Sequence, residues 1–306
     1  MSPRVISLLP SATEIVCALG CREALVGVSH ECDFPAGVED LPHCCDIKRP
    51  LGASSAEIDR SVKSILEEAL SVYRVHAKRL RALRPDLVIT QAQCEVCAVS
   101  EDDLVAALAE WTGARPQVMS LSPLTLADVW VDIGKVGQAL AKPAQAAALV
   151  DRLEARVAAI AARSRNLPRP RLALIDWLEP LIMGAEWMPE LVMLAGGEAV
   201  LARAGSHASH VEWDALRAAD PEVILVAPCG LSMVEAARDM SGLMGLPGFR
   251  ELSAARKGEV YLADGKHYFN RPGPRLVESL EIAAEIINPE RFRFGHEGRA
   301  WRRYHL

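Results

Sequence analysis

PAQAAALVDRLEARVAAIAARSR, residues 143–165, is the stretch that decides the fold. It has no internal glycine or proline, and Leu149, Leu153 and Ile160 recur at the spacing of one helix face. Pro143 suits a first helical position, where a missing N–H has no helical partner to lose. Such a helix would be roughly 34 Å long, enough to run from one domain to another. The sequence therefore predicts a long helix that joins two parts of the chain.

The segments on both sides of this helix alternate short apolar runs with amphipathic runs, as the strands and helices of an α/β protein do. A chain of 306 residues is long for one hydrophobic core and suits two domains of about 130–150 residues. We therefore predict an α/β fold of two Rossmann-like lobes with a ligand cleft between them. The N-terminal lobe is placed at residues 1–122, the linker and long helix at 123–166, and the C-terminal lobe with a basic tail at 167–306.

An internal repeat supports two related lobes. Residues 80–90, LRALRPDLVIT, align without gaps on residues 216–226, LRAADPEVILV, and in both a helical segment leads through a proline into an apolar strand. Chance similarity at such a junction is one explanation, and two lobes of related topology is the interpretation that we prefer. Because ligands of open α/β sheets bind outside the carboxyl ends of the strands, the loops that follow the strands are the candidate binding loops.

Composition and charge exclude several classes of function. The formal net charge of −6 argues against a general binder of nucleic acid or anionic membranes, and the absence of a run of about 18 apolar residues argues against a membrane span. A strand-like run at residues 5–9 follows the first residues without the pattern of a signal peptide, so we expect a cytoplasmic protein, periplasmic only if the true start lies upstream. Eight cysteines in that setting favour free thiols or a metal site over disulfides.

Two segments offer soft metal ligands at predicted strand ends. Cys94 and Cys97 form a C-x-x-C pair after one strand, and His30 and Cys32 follow another. If these four side chains converge, they suit zinc or an iron–sulfur cluster. One C-x-x-C pair is weak evidence by itself, so two alternatives stay open: a redox pair, or reduced thiols that pack as small apolar groups or contact a ligand together with Gln93.

Aromatic side chains gather in two predicted loops of the C-terminal half. Trp177, Glu179 and Trp187 follow one apolar strand, and Tyr268 and Arg271 follow a later one. Flat rings at strand ends are what a large planar ligand needs, and only 5% of the chain is aromatic. A place in the core is an equally good explanation for Trp187. The sequence holds no G-x-G-x-x-G, G-x-S-x-G or H-E-x-x-H motif, so we predict no catalytic residues.

Several stretches resemble the periplasmic binding proteins for cobalamin and iron–siderophores, the class III family with one helix between its lobes. Those similar to the first lobe are RVISLLPSATEIVCALG at 4–20, LVGVSHECDFP at 25–35 and LRALRPDLVIT at 80–90. Those similar to the second lobe include WLEPLIMGAEWMPELVMLAGGEAVL at 177–201 and FNRPGPRLVESL at 269–280. The resemblance is nearest to the cobalamin-binding members and keeps its order along nearly the whole chain.

This resemblance implies two α/β lobes, one long spine helix, a ligand gripped between the lobes and delivery of that ligand to an ABC importer. It implies that Pro10, Ser11 and the segment from His30 lie near the ligand, and that Tyr268 lies against a corrin ring. The residues that it places on the opposite lobe are Trp177, Glu179, Trp187, Tyr268 and Arg271. We expect three departures from the family. No signal-peptide pattern is found, and the C-x-x-C pair stands where cobalamin binders have an aromatic residue. A long loop at residues 30–53 and a helix to residue 70 form an insertion before the strand that follows Pro85.

The leading hypothesis is therefore a soluble, non-enzymatic binding protein for a corrinoid or a related metal chelate. The alternative is a metal or iron–sulfur protein on the same fold, with Cys32, Cys94 and Cys97 as ligands. The least favoured hypothesis is a thiol-dependent enzyme that handles corrinoids, with Cys94 or Cys97 as its nucleophile. An ABC importer is the partner expected under the first hypothesis, and no nucleic acid is expected under any of them.

Overall fold

The computed structural model describes residues 3–68, 72–91, 99, 104, 107–108 and 115–305. It confirms the predicted α/β class, with two compact units that each contain a mixed sheet. Unit 1 comprises residues 1–51, 60–123 and 127–152, and unit 2 comprises residues 52–59, 124–126 and 153–306. Gln93, Cys94 and Cys97 lie outside the described residues, and the expected ligand cleft stays a prediction.

Unit 1 is built around a sheet whose described strands are β1 (Val5–Ser7), β2 (Leu25–Ser29), β3 (His43–Ile47), β4 (Tyr73–Val75), β5 (Leu87–Gln91) and β6 (Gln117–Leu121). Their order is β4-β3-β2-β1-β5-β6, and each neighbouring pair is parallel except β3 and β4. The side chains of β1 are all buried, as an apolar central strand requires. The strand order changes direction at β1, and such a switch point is where parallel sheets bind ligands.

β3 corrects one expectation, since the sequence suggests a single long loop over residues 30–53. Its central residues Cys44 and Cys45 have no exposed surface, and the strand pairs in parallel with β2, with Ser29 beside Cys45. The two thiols fill the sheet as small apolar side chains do. The prolines and glycines of this segment predict a loop, and Pro42 and Pro50 on either side of β3 hide the short strand between them.

The helices of the N-terminal half are α1 (Pro10–Ala18), α2 (Ser55–Glu67), α3 (Ala77–Leu83), α4 (Leu126–Ala139) and α5 (Pro143–Ser164). α5 agrees with the helix predicted at residues 143–165, and Leu153 and Ile160 are buried on one face. It begins in unit 1 and ends in unit 2. α4 passes close to the first turn of α5, because a Cβ on Gly137 would lie 2.4 Å from the Cβ of Ala146. Only glycine leaves room for that approach.

The described helices give no candidate for a membrane span, since none of them is both long enough and apolar enough to cross a bilayer.

Unit 2 contains the second sheet, whose described strands are β7 (Arg171–Trp177), β8 (Ile182–Met183), β9 (Glu198–Ala199), β10 (Val223–Val226), β11 (Val260–Ala263) and β12 (Trp301–Arg303). They run in the order β12-β11-β10-β7-β8, with β9 also paired to β7, and β8 and β12 are antiparallel to their neighbours. The helices are α6 (Met188–Leu194), α7 (Trp213–Ala219), α8 (Met233–Met244), α9 (Ser253–Lys257) and α10 (Leu276–Ile287). Every residue of α10 except Glu278 is buried, so this helix lies within the core of unit 2.

The basic segment at residues 291–303 is not the solvated tail that its charge suggests. Its end forms β12, in which Trp301 is only 5% exposed. Arg303 Nη2 lies 3.0 Å from Glu259 Oε1 and 2.9 Å from the hydroxyl oxygen of Tyr261. Pairing with β11, the buried indole and these two polar partners hold the segment against unit 2, while its arginines remain at the surface.

The internal sequence repeat corresponds to two equivalent helix–strand junctions, one in each unit. α3 ends on Arg84 at φ 44°, before β5, and α7 ends on Asp220 at φ 38°, before β10. Both helices therefore stop on a left-handed residue that is followed by a proline, which cannot continue a helix. The shared geometry supports two units of related topology over chance similarity.

An arginine at the beginning of the first strand of each sheet, Arg4 just before β1 and Arg171 in β7, completes the junction. In unit 1 the backbone N–H of Arg4 donates to Asp86 Oδ2 at 2.7 Å, and in unit 2 that of Arg171 donates to Glu222 Oε2 at 3.1 Å. The Arg4 side chain donates to two carbonyls at the end of α3, at 2.9 and 3.2 Å, and the Arg171 side chain to two at the end of α7, at 2.6 and 2.8 Å. Each guanidinium thus satisfies carbonyls that a helix end leaves without partners.

Arg171→Ala is expected to lower the free energy of unfolding by about 2 kcal/mol, because two helix-end carbonyls lose a charged donor. Arg171 is partly buried, whereas Arg4 is exposed, where solvent weakens its charged contacts. Arg4→Ala should therefore lower the free energy of unfolding by about 1 kcal/mol or less. Equilibrium urea denaturation measures both changes. The exposed Arg169, just before β7, provides the control substitution Arg169→Ala, and equal losses from all three variants would contradict a role for the junction.

Candidate ligand-binding site

The structure places three of the predicted unit 1 residues after the carboxyl ends of β1 and β2. Pro10 and Ser11 open α1 shortly after β1, with Pro10 partly exposed and Ser11 only 2% exposed. His30 directly follows β2 and is partly exposed. Pro10 and His30 therefore offer accessible surface at this edge of the sheet, and Ser11 does not. Contact with a ligand stays a prediction for all three.

Cys32 packs into unit 1 and does not face solvent. The hydroxyl of Thr13 donates to its sulfur at 3.1 Å, and its 1% exposed side chain lies among apolar residues that include Val28. This is the packing alternative for a reduced thiol. In the part of the chain that the structure describes, no three His, Cys, Asp or Glu side chains are grouped as a metal site would need. Because Cys94 and Cys97 lie outside that part, the four-ligand hypothesis stays a prediction.

His30 contacts two residues that the sequence does not single out, Cys45 and Tyr73. Its Nδ1 lies 3.8 Å from Cys45 Sγ, and the ring centroids of His30 and Tyr73 are 5.9 Å apart. Burial lowers the pKa of His30 from its usual value, although the charge of Asp46 acts against this, so the imidazole is mainly neutral at pH 7. Recognising β3 as the parallel neighbour of β2 is the signal that would have found Cys45.

Trp177 and Glu179 form an accessible turn at the carboxyl end of β7. The indole N–H of Trp177 donates to the carbonyl oxygen of Glu179 at 3.1 Å, which holds the indole to its own turn. Trp177 is partly exposed and Glu179 is exposed. A ring that is held in place and still accessible provides a flat contact surface for a ligand.

Tyr268 is a partly exposed ring that unit 2 supports from within. The ring of buried His296 meets it edge-on, with centroids 6.3 Å apart, and Arg275 Cζ lies 5.5 Å from the Tyr268 centroid. Burial raises the pKa of Tyr268, and the charge of Glu278 adds to that effect, so the phenol keeps its proton at pH 7. Tyr268 thus offers a neutral aromatic surface beside a guanidinium group.

The loop that carries Tyr268 is fixed to the sheet by its neighbours. Asn270 Nδ2 donates to the carbonyl oxygens of Ala227 at 3.1 Å and Gly265 at 3.2 Å. Phe269 has no exposed surface, and its backbone N–H donates to the hydroxyl of Ser279 at 2.9 Å. These contacts hold the backbone of the loop at the carboxyl ends of β10 and β11, where a binding residue needs a rigid support.

Trp187 and Arg271 are buried. Trp187 is 5% exposed, and its indole N–H donates to the carbonyl oxygen of Phe269 at 2.7 Å. The structure therefore gives Trp187 the core role that the sequence leaves open, as a support of the Tyr268 loop. Arg271 is 7% exposed in the same loop. Ligand contact by either side chain stays a prediction.

His267 and Asp264 form a pair that the sequence does not single out. His267 Nδ1 lies 2.8 Å from Asp264 Oδ2, and Asp264 Oδ1 accepts the backbone N–H of His267 at 3.0 Å. Burial acts to raise the pKa of the Asp264 carboxyl, but the hydrogen bond and charge of His267 outweigh it and hold the pKa below its usual value. The D-x-x-H spacing directly after an apolar strand is the signal that would have found this pair.

Two α/β units joined by one long helix, with accessible rings at the strand ends, define a protein that binds a small molecule. The particular family follows from comparison with known sequences. The chain belongs to the periplasmic binding protein family, whose model matches residues 5–266. This is a family of binding proteins and not of enzymes.

Individual relatives agree with this assignment. A vitamin B12-binding protein of Vibrio vulnificus is 23% identical over 285 residues, which cover 92% of this chain and 89% of the relative. The solved structure of the periplasmic vitamin B12 binding protein of Vibrio cholerae has a TM-score of 0.65 at 20% identity, covering 94% of this chain and 97% of that one. A periplasmic heme binding protein of Pseudomonas aeruginosa has a TM-score of 0.68 at 23% identity, covering 95% and 94% respectively. These structural similarities show the fold.

Proposed function

We propose that this protein is a solute-binding protein for a planar metal chelate and that a corrinoid is its ligand. The observation that carries the proposal is Tyr268, a neutral and accessible ring at the carboxyl edge of the unit 2 sheet, backed by His296. A corrin or porphyrin presents a large apolar face, and an aromatic side chain is a contact that fits such a face. The relatives that bind vitamin B12 and heme support the same class of ligand.

Haem is the second candidate, because of the charges around Tyr268. Arg275 lies beside the Tyr268 ring, and Arg271 and Arg275 are 7% and 8% exposed. A guanidinium group recognises carboxylates well, and haem carries carboxylates where the side chains of a corrinoid are mostly neutral amides. The metal or iron–sulfur alternative has less support, since Cys32 is packed against Thr13.

We further propose an ABC importer as the partner, in line with the family to which the chain belongs. The protein would carry the chelate and the importer would receive it.

Titration of the purified protein with aquocobalamin and, separately, with haemin tests the proposed ligand. We expect about one corrinoid to be retained per chain after desalting, with a shifted absorption spectrum. Retention of haemin alone would assign the second candidate. A colourless protein after both titrations would contradict the proposed function.

Tyr268→Ala is expected to weaken binding of the retained chelate about tenfold, because loss of an aromatic contact removes about 1.4 kcal/mol. Tyr268→Phe keeps the ring and is the matched control, expected to bind within about twofold of the unchanged protein. Equilibrium dialysis measures both affinities, and the far-ultraviolet circular dichroism spectrum checks that both variants are folded. Equal affinities of Tyr268→Ala and the unchanged protein would show that this ring does not contact the chelate.

A further inference from the structure

Unit 1 holds an imidazole against a buried thiol and a buried phenol. β2 and β3 are parallel and bring Ser29 beside Cys45, and His30 is the first residue after β2. Its Nδ1 lies 3.8 Å from Cys45 Sγ, and its ring centroid lies 5.9 Å from that of Tyr73. Cys45 has no exposed surface and Tyr73 is 5% exposed. The His30 ring is thus fixed by two buried groups, and part of its surface remains accessible.

The contacts of Cys45 favour the tautomer of His30 that carries its proton on Nδ1. The Cys45 thiol donates to Ser29 Oγ at 3.3 Å, which leaves its sulfur as an acceptor for the N–H at His30 Nδ1. With the proton on Nδ1, Nε2 carries a lone pair. Histidine binds metals in this form, with the other ring nitrogen bonded to the protein.

We propose that His30 is an axial ligand: its Nε2 coordinates the cobalt of a corrinoid bound at the carboxyl edge of the unit 1 sheet, and Cys45 is its positioning residue. This inference rests on the proposed function and adds the atom that contacts the metal. A planar chelate occupies the equatorial positions of its metal and leaves the axial positions for the protein, so one side chain suffices.

In the other two histidines of unit 1, Nε2 already contacts an oxygen atom of the protein. His76 Nε2 lies 3.3 Å from Asp46 Oδ2, and His43 Nε2 lies 3.1 Å from the carbonyl oxygen of Glu39. Ligation of a metal through Nε2 would break either contact. His30 differs from both, because it contacts Cys45 through Nδ1. This difference makes His76 a matched control.

Electron paramagnetic resonance of cobalt(II) cobinamide bound to the protein tests the proposal. Cobinamide lacks the base that fills one axial position in cobalamin, so in a buffer without nitrogen an axial nitrogen on cobalt must come from the protein. An axially coordinated nitrogen-14 nucleus splits each cobalt line into three, and nitrogen-15 splits it into two. We expect threefold splitting from protein of natural isotopic composition and twofold splitting from protein labelled with nitrogen-15 histidine.

His30→Ala should abolish the nitrogen splitting and weaken cobinamide binding about tenfold, while His76→Ala should preserve both. Splitting that persists in His30→Ala would overturn the assignment to His30. Cobinamide that the unchanged protein retains without splitting would overturn axial ligation and leave the proposed function standing. If the unchanged protein retains no corrinoid by absorption, the corrinoid proposal and this inference are both overturned.

The role of Cys45 is tested by the fraction of bound cobinamide that shows nitrogen splitting. Cys45→Ala removes the acceptor of Nδ1–H, so that the proton can move to Nε2 and the fraction should fall. Cys45→Ser restores an acceptor and should recover most of it. Cys44→Ala is the control, since Cys44 is an equally buried thiol on β3. Equal losses from Cys44→Ala and Cys45→Ala, without recovery by serine, would show a general effect on packing and overturn the positioning role.

Discussion

Glu285→Ala is expected to lower the free energy of unfolding by about 4 kcal/mol. Glu285 is 4% exposed in α10, and its carboxylate accepts the backbone N–H of Gly295 and the indole N–H of Trp301, each at 2.7 Å. The backbone N–H groups of Phe294 and His296 also donate to it. Alanine would leave these donors without their acceptor. Each buried donor without a partner lowers the stability by about 1–3 kcal/mol.

Two further substitutions sharpen this test. Glu285→Gln keeps one acceptor oxygen and is expected to lose about half as much stability as Glu285→Ala. Glu290 is exposed and lies just beyond α10, so Glu290→Ala should change the free energy of unfolding by less than about 0.5 kcal/mol. Equilibrium denaturation measures the three values, and hydrogen exchange at residues 301–303 reports whether β12 detaches first. A loss below about 1 kcal/mol in Glu285→Ala would contradict the role of this carboxylate.

Gly265→Ala is expected to destabilise unit 2 by about 3 kcal/mol or more. A Cβ at this position would lie 2.0 Å from the carbonyl oxygen of Pro228 and 2.6 Å from the carbonyl carbon and oxygen of Ala227. Those atoms belong to the backbone after β10 and cannot rotate away as a side chain can, so the two strand-end loops must separate. Because the Tyr268 loop begins here, binding of the chelate should weaken as well.

A second glycine provides the control for this substitution. A Cβ on Gly242, within α8, would meet no atom within 4 Å. Gly242→Ala should therefore raise stability by up to about 1 kcal/mol, the gain in helix propensity. Differential scanning calorimetry of both variants compares their unfolding temperatures. An unfolding temperature of Gly265→Ala equal to that of the unchanged protein would show that the close approach of the loops is not required.

Much of the fold could be predicted from the sequence because its signals are local. The helix at residues 143–165 has an apolar face at helical spacing and no internal breaker, and α5 has nearly those bounds. The repeat at residues 80–90 and 216–226 carries its own proline and strand, and the two junctions share their geometry. Helical spacing and the positions of prolines depend only on neighbouring residues within one element. These elements could therefore be predicted without knowledge of tertiary packing.

The candidate site was harder to predict, since its contacts join distant parts of the chain. Trp187 donates to Phe269, 82 residues further on, and no local pattern distinguishes that buried indole from an exposed one. Cys45 meets His30 only because β3 lies beside β2. The positions of Tyr268 and His30 at strand ends could be predicted, because the carboxyl edge of a parallel sheet follows from the order of the strands.

The arginine junctions close chain loops of different length in the two units. Asp86 is 82 residues from Arg4, whereas Glu222 is 51 residues from Arg171. The entropy of loop closure grows only with the logarithm of length, so the longer loop costs about 0.4 kcal/mol more. Unit 1 uses its longer loop to carry β3 and with it Cys45. The extra length of unit 1 therefore adds little to the entropy of loop closure, and the same kind of junction closes the sheet in both units.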